Sequence, residues 1–336
     1  MRRILIVFAC ATLFLPAALH SQQVTIEPRT KPRTPKQGTS GSRADTEPSP
    51  KLRVDTSLVQ VPVTVTDRLG RTVSGLEQEN FRVFDNNEPQ SIVKFAMDDE
   101  PVAIGFVFDI SGSIGSRLQQ YRLAAREFFK NADVDDEFFL VEFQSTPQLV
   151  VALTKNAAEI DYQIMMTQSK GQTALFDAVH LAANEIKKSK LNKKAMILVS
   201  DGGENHSRYN LSEVQNALRE TDSLLYSVGP APYNTYGENN GRLLKHLAEM
   251  TGGRLIEEGD RDLSDLARKI IVDLRNRYVL YYSPTDKSRD GRHHHIAIRL
   301  VPPKGLPTLT PHWRAGYDAP INQSRTSSLI SCWRRE

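Results

Sequence analysis

Residues 102–113 read Val102-Ala-Ile-Gly-Phe-Val-Phe-Asp109-Ile-Ser-Gly-Ser113. An almost unbroken apolar run is what a parallel strand buried on both faces requires. The oxygen-bearing residues Asp109, Ser111 and Ser113 that end it belong to a strand-end loop, with Gly112 allowing a tight turn. In open α/β sheets ligands bind beyond the carboxyl ends of the strands, so this loop is a candidate site.

Downstream the rhythm alternates. A helical pattern over 117–131 precedes strands at 138–143 and 148–153. Helices are expected over 157–167 and 174–188, then a strand at 195–200, a helix over 211–221 and a strand at 224–228. A helix over 240–250, a short strand at 254–257 and a helix over 262–276 complete the series. Strands alternating with helices imply an α/β fold, with a mostly parallel central sheet covered by helices on both faces.

Outside this region the pattern has a period of two. Val59, Val61, Val63 and Val65 alternate with polar residues up to the turn Asp67–Gly70. Phe81, Val83 and Phe84 then lead through Asp85-Asn-Asn-Glu88 to Ile92, Val93 and Phe95. Such runs are antiparallel strands, too few for an independent sandwich. After the central region, 277–283, 294–301 and 310–315 read as further strands. One β-sandwich built from both flanks, with the α/β domain inserted, is the expected layout.

The ends differ in character. Arg2 and Arg3 precede an apolar run from Ile4 to Leu19, followed by polar residues from His20: the pattern of a secretory signal peptide. Cleavage is expected after Ser21, with Ala18 as the alternative. The run is shorter than the roughly 20 residues of a bilayer span, so no transmembrane segment beyond the signal peptide is expected. Residues 22–50, rich in Thr, Pro, Lys, Ser and Arg, cannot bury enough apolar surface to fold and read as a disordered linker. The division expected is signal peptide 1–21, linker 22–50, sandwich 51–100, α/β domain 101–277, sandwich again 278–318 and flexible tail 319–336. An exported protein, periplasmic, surface-bound or secreted, follows from the leader. Of Cys10 and Cys332 only the latter would survive cleavage, so no internal disulfide is expected.

Charge narrows the function. With 43 basic and 40 acidic residues among 336, the net charge of +3 gives no basic footprint for nucleic acid. Two further loops carry oxygen groups: Gly171-Gln-Thr173-Ala, entering a helix, and Ser200-Asp201-Gly-Gly203, following a strand. Asp109, Ser111, Ser113, Thr173 and Asp201 together offer two carboxylates and three hydroxyls. That donor set suits a hard cation, Mg²⁺ first, with Mn²⁺ or Ca²⁺ also compatible.

These three motifs, in this order, resemble the metal-ion-dependent adhesion site (MIDAS) of von Willebrand factor A (VWFA) domains. The flanking strings Val65-Thr-Asp67, Phe81-Arg-Val-Phe-Asp85, Tyr278-Val-Leu-Tyr-Tyr282 and Arg314-Ala-Gly-Tyr317 are similar to the exported bacterial VWFA-related proteins common in Acidobacteria. The resemblance implies a Rossmann-like domain in which Ser111, Ser113 and Thr173 touch the metal, with Asp109 and Asp201 acting directly or through water. It also implies a protein-binding, adhesive module whose ion is completed by an acidic residue of a protein partner. A scaffold with a structural metal is the alternative.

An enzyme is not expected. A haloacid dehalogenase-type phosphatase needs a second Asp where Ser111 stands. The serine-hydrolase elbow needs Gly two places before its Ser, and no phosphate-binding Gly-Lys loop occurs. A metal-dependent hydrolase would still need a general base, and none accompanies the motifs. Asp177, one helical turn beyond Thr173, reads as a supporting group. Glu204, Asn205 and His206 read as a solvated loop beside the site. His293-His-His295 cannot chelate together, because successive strand residues face opposite ways, and reads as a solvent-facing polar stretch of a strand.

Overall fold

The computed structural model of the chain describes residues 58–231, 240–258, 263–303, 305 and 308–321. The expected leader, linker and most of the tail, with Cys10 and Cys332, lie outside these residues. Among the described residues no helix is long and apolar enough to cross a membrane.

The valine alternation forms β1 (Val59–Thr66), whose odd-numbered residues are buried. It is followed by β2 (Phe81–Asp85), β3 (Glu88–Gln90) and β4 (Ile92–Asp98). Asn86 and Asn87 join β2 to β3 with φ of 47° and 69°. That left-handed pair matches the twist of a two-residue hairpin, and Asn tolerates it better than most residues.

The central region follows in chain order: β5 (Val102–Asp109), α1 (Leu118–Phe129), β6 (Glu137–Phe143), β7 (Pro147–Thr154), α2 (Ala157–Met166), α3 (Leu175–Ile186), β8 (Lys193–Val199), α4 (Leu211–Arg219), β9 (Leu224–Gly229), α5 (Asn240–Met250), β10 (Leu255–Glu257) and α6 (Leu263–Arg275). Its sheet has the order β10-β9-β8-β5-β6-β7, with β5 buried along its whole length. Ile104, Phe106 and Phe108 of β5 face α1, α2 and α6. Ala103 and Val107 face α3, α4 and α5. Gly105, between them, is required by its neighbour: a Cβ there would lie 2.1 Å from Cζ of Phe139. The large ring on β6 therefore occupies the space that a side chain on β5 would need.

The sheet is mixed, because β7 runs antiparallel to β6. Only residues 144–146 separate them, too short for the crossover that a parallel neighbour demands. The remaining pairs are parallel.

After α6 come β11 (Arg277–Tyr282), β12 (His293–Leu300), β13 (Thr310–Trp313) and β14 (Gly316–Asp318). The two flanks interleave. One sheet has the order β13-β1-β11-β4 and the other β14-β12-β2-β3. β1 lies between two strands from the far end of the chain, so neither flank completes its sheet alone. The inner faces bury Val61, Val63, Phe81, Tyr278, Leu280 and Ile296, with the Phe81, Phe95 and Tyr278 rings in mutual contact. The strand expected over 310–315 ends at Trp313, and after Arg314-Ala315 a further strand, β14, which was not expected, joins the other sheet.

Charged groups bind the two parts where the chain passes between them. Arg277 and Lys193 share Asp98. Arg254 pairs with the fully buried Asp273 at 2.7 Å and donates to the Gly70 carbonyl at 3.1 Å. Asp136 accepts from the Val102 amide at 2.9 Å and from Arg275.

The His293–His295 run departs from its surface reading. His294 is 3% exposed, and its Nδ1 lies 2.9 Å from Oδ1 of Asp85. Tyr282 and Tyr317 donate to the other oxygen of Asp85, at 2.9 and 3.0 Å. Alternation does place His293 and His295 outward, but the middle ring turns into the sandwich, where the distant Asp85 satisfies it.

Candidate metal centre

β5 and β8 are adjacent, with Phe108 opposite Val199, so their carboxyl ends deliver Asp109 and Ser200 side by side. Asp109 is fully buried. Its Oδ1 accepts the Ser111 amide at 2.8 Å and its Oδ2 accepts the Ser200 hydroxyl at 2.7 Å. Ser200 in turn accepts the Gly202 amide at 3.0 Å, fastening the second loop to the first.

Ser111 is buried and Ser113 exposed, and their hydroxyl oxygens lie 3.0 Å apart. Side-chain oxygens two residues apart thus reach the same place from different depths. Asp201, half-buried, accepts the Gly203 amide at 2.9 Å. A Cβ built on Gly203 would lie 3.1 Å from Oδ1 of Asp201 and 3.8 Å from Oγ1 of Thr173. Gly203 therefore stands beside both oxygens, and a side chain there would crowd that of Asp201.

Thr173 is held from two sides. Its amide donates to Oδ1 of Asn205 at 3.1 Å, and its carbonyl accepts the Asn205 amide at 3.1 Å. The loop carrying it crosses the first motif: Lys170 N–H donates to Ile110 C=O at 2.8 Å and Gly112 N–H to Gly171 C=O at 3.1 Å. Ser169 donates to the Ser111 carbonyl.

Glu204 proves to be an organiser. One carboxylate oxygen accepts the amides of His206 and Ser207, and the other accepts the Phe176 amide and the Ser207 hydroxyl. Asp177 accepts the amides of Arg208 at 2.8 Å and Tyr209 at 3.0 Å. Together they fix the entry of α3, and with it Thr173, against the loop after β8. Asn205 and His206 are exposed, as a solvated loop would be. Sequence reasoning marked Asp177 as a supporting group but missed Ser169, Ser200 and the bonding of Glu204 and Asn205. Their signal was weak, because Ser, Asn and Glu in loops carry no spacing of their own.

The electrostatics are one-sided. Burial pushes the Asp109 carboxyl above the usual carboxylate range, and the charge of Asp201 adds to this, against the lowering influence of Ser111 and Ser200. Among the described residues neither carboxylate forms an ion pair, and the nearby Arg208 is committed to Asp177 at 3.4 Å. No group of three His, Cys, Asp or Glu side chains among the described residues is placed to hold a metal. An ion at this edge would therefore rest on hydroxyl oxygens as well as on the two carboxylates. The donor set fits a hard divalent cation: uncompensated negative charge, only oxygen atoms, and a glycine where a side chain would crowd Asp201. The larger cavity described, about 680 Å³, opens elsewhere, among residues such as Lys193 and Leu224 at the opposite ends of the strands.

Residues 104–204 match the family description "von Willebrand factor type A domain". Among characterised proteins, inter alpha-trypsin inhibitor heavy chain 4 of Mus musculus is 29% identical over 199 residues, covering 54% of this chain. The match takes in 21% of that protein, so the chain spans about a fifth of the length of this relative. The von Willebrand factor type A structure from Catenulispora acidiphila superposes with a TM-score of 0.45 at 10% identity, covering 82% of this chain and 76% of that one. The vWF domain of the type V pili tip protein Mfa5 from Porphyromonas gingivalis gives 0.42 at 13% identity, covering 53% and 98%.

Proposed function

We propose that the von Willebrand factor A domain carried by this chain binds a protein partner through a divalent cation at the strand-end edge. Domains of this type are typically protein-interaction or adhesion modules. The reading assigns the cation to Asp109, Ser111, Ser113, Thr173 and Asp201. The observation that carries it is the fully buried Asp109, beside a second carboxylate and without a cationic partner among the described residues.

A buried carboxylate without a counter-charge is costly, and a structure keeps one where something else supplies the charge. Mg²⁺ is the best match, being small, hard and oxygen-preferring. When bound, it would offer a Lewis-acidic position to a carboxylate from outside. The chain's own part is to hold the donors apart and ready. Ser200 and the Ser111 amide orient Asp109, Gly203 leaves Asp201 uncrowded, and Glu204, Asn205 and Asp177 fix Thr173. Three of the five donors are neutral, so the ion keeps an appetite for an acidic residue of the partner. The N-terminal leader pattern supports an address outside the cytoplasm for this activity.

Titration calorimetry of Mg²⁺ into the full chain tests the site, and immobilised chain exposed to cell-envelope extract tests its use. Saturable Mg²⁺ uptake is expected, lost in Asp109→Ala. Partner retention in Mg²⁺ is expected to disappear in EDTA and in Thr173→Ala. Uptake that persists in both Asp109→Ala and Asp201→Ala refutes the assignment. Retention indifferent to EDTA refutes the metal-mediated mode.

A further inference from the structure

At the other end of the central sheet, where β8 and β9 begin, a cleft of about 680 Å³ opens between the α/β part and the outer face of the β1-β11-β4 sheet. That volume falls in the range of small-molecule sites. Its floor holds Lys193 and Arg277, with side chains 2% and 4% exposed, around Asp98 at 7%. Lys193 Nζ reaches Oδ1 of Asp98 at 3.2 Å and its backbone carbonyl at 3.0 Å. Nε and Nη2 of Arg277 both donate to Oδ2. Two buried cations thus share one carboxylate, leaving an excess positive charge at the bottom of an open cleft.

The walls do not cancel it. Asp222 is taken by Arg314. Lys94, Lys194 and Arg219 then balance Asp99, Glu100 and Asp318, which leaves the positive charge of the floor uncompensated. Lys94 sits over the Tyr281 ring, 4.9 Å from its centre. Lys193 also registers the imbalance. Burial, and then the Arg277 charge, bring its ammonium down to about 8, although Asp98 pulls the other way.

We propose that this cleft is a second binding site, for a small molecule bearing a carboxylate or phosphate group, with Lys193 and Arg277 as its anchors. An anion seated there would compensate the excess charge and fill a cavity that faces both halves of the molecule. Arg277 offers a planar fork suited to either oxyanion, and Lys193 a point charge beside it. The inference does not rest on the metal reading, since the two sites occupy opposite ends of the sheet.

The experiment is calorimetric titration of the full chain with inorganic phosphate and, separately, with succinate. Both are run in EDTA and at constant ionic strength, so that neither metal-bound anion nor general screening is counted. Saturable binding of at least one probe is expected, and the two arms decide between phosphate and carboxylate. Lys193→Met, checked for folding by circular dichroism, is expected to weaken that probe roughly tenfold or more. Lys94→Glu, an exposed change on the cleft wall, leaves the buried cluster intact and is expected to weaken it severalfold. Binding of neither probe to the unmodified chain, or binding by both variants undiminished from it, overturns the proposal and leaves the cluster a purely structural junction.

Discussion

Asp109→Asn separates two roles of one side chain, and the signs of its effects are opposite. In the metal-free protein Asp109 is a fully buried carboxylate whose ionisation is opposed first by burial and further by Asp201. The amide is nearly isosteric and carries no charge. Its oxygen can keep the Ser111 amide, 2.8 Å away, and its NH₂ can donate to Ser200, now placed as acceptor. With both contacts retained, removal of the charge relieves desolvation and repulsion, worth about 1–2 kcal/mol at neutral pH. For a folded unit of this size that corresponds to a rise in Tm of roughly 2–8 °C in EDTA. Mg²⁺ reverses the order. A ligand at a hundred times its Kd stabilises the native state by about 2.7 kcal/mol. The unmodified chain is expected to gain this and the Asp109→Asn variant to gain little or nothing. Thermal unfolding by circular dichroism, each protein in EDTA and in a Mg²⁺ series, measures both effects. An Asp109→Asn protein less stable than the unmodified chain in EDTA would refute the charge argument. One with an undiminished Mg²⁺ response would refute the role of Asp109 in holding the ion.

Three further outcomes follow from the geometry. Gly203→Val sets a side chain between Asp201 and Thr173, so the Mg²⁺-dependent rise in Tm should vanish while the circular dichroism spectrum is kept. Gly105→Ala drives a methyl group into the Phe139 ring, and denaturant titration should show a loss of about 1–3 kcal/mol or more. His312 has its pKa lowered to about 4, by burial and then by Arg254. The unfolded chain therefore takes up that proton first as pH falls. The stability tied to neutral His312 is present above pH 6.5 and lost as pH falls through 4, about 3 kcal/mol at most. Urea titrations across that range should show a smaller acid loss in His312→Gln, and an identical loss would remove His312 from the account.

The central sheet was legible because burial on both faces leaves an apolar run that little else explains, as in residues 102–108. The valine alternation of β1 and the Asn86-Asn87 turn were equally direct. The antiparallel course of β7 was hidden in a detail, a connection too short for a crossover, which periodicity does not register. The division of 310–318 between two sheets was hidden too, since a strand that changes partners keeps its alternation. At the candidate site, the five proposed oxygen donors stood out in the sequence by their spacing. Their supports did not: Ser169, Ser200, Glu204 and Asn205 act through backbone amides that only the fold brings near. The same limit applies to His294, whose partner Asp85 lies 209 residues away in the chain. Burial of a polar residue is decided by such a partner, and a local pattern cannot show it.

The interleaving of the flanks fixes an order of events during folding. Beyond a local bridge from Thr66 to Thr72, the strands that pair with β1 are β11 and β13, and Thr66 meets His312 across 246 residues. The α/β part closes mostly between neighbours in sequence, whereas the sandwich depends on segments far apart, a slow class of contact. As the chain emerges from its N-terminus, β1 is among the first folded strands to appear and the last to find its neighbours. Until Tyr282 has emerged both of its edges remain open to other chains, and the edge that β13 covers stays open until Trp313 follows. The sandwich is thus the part whose completion a newly made chain must wait for, and where aggregation would begin.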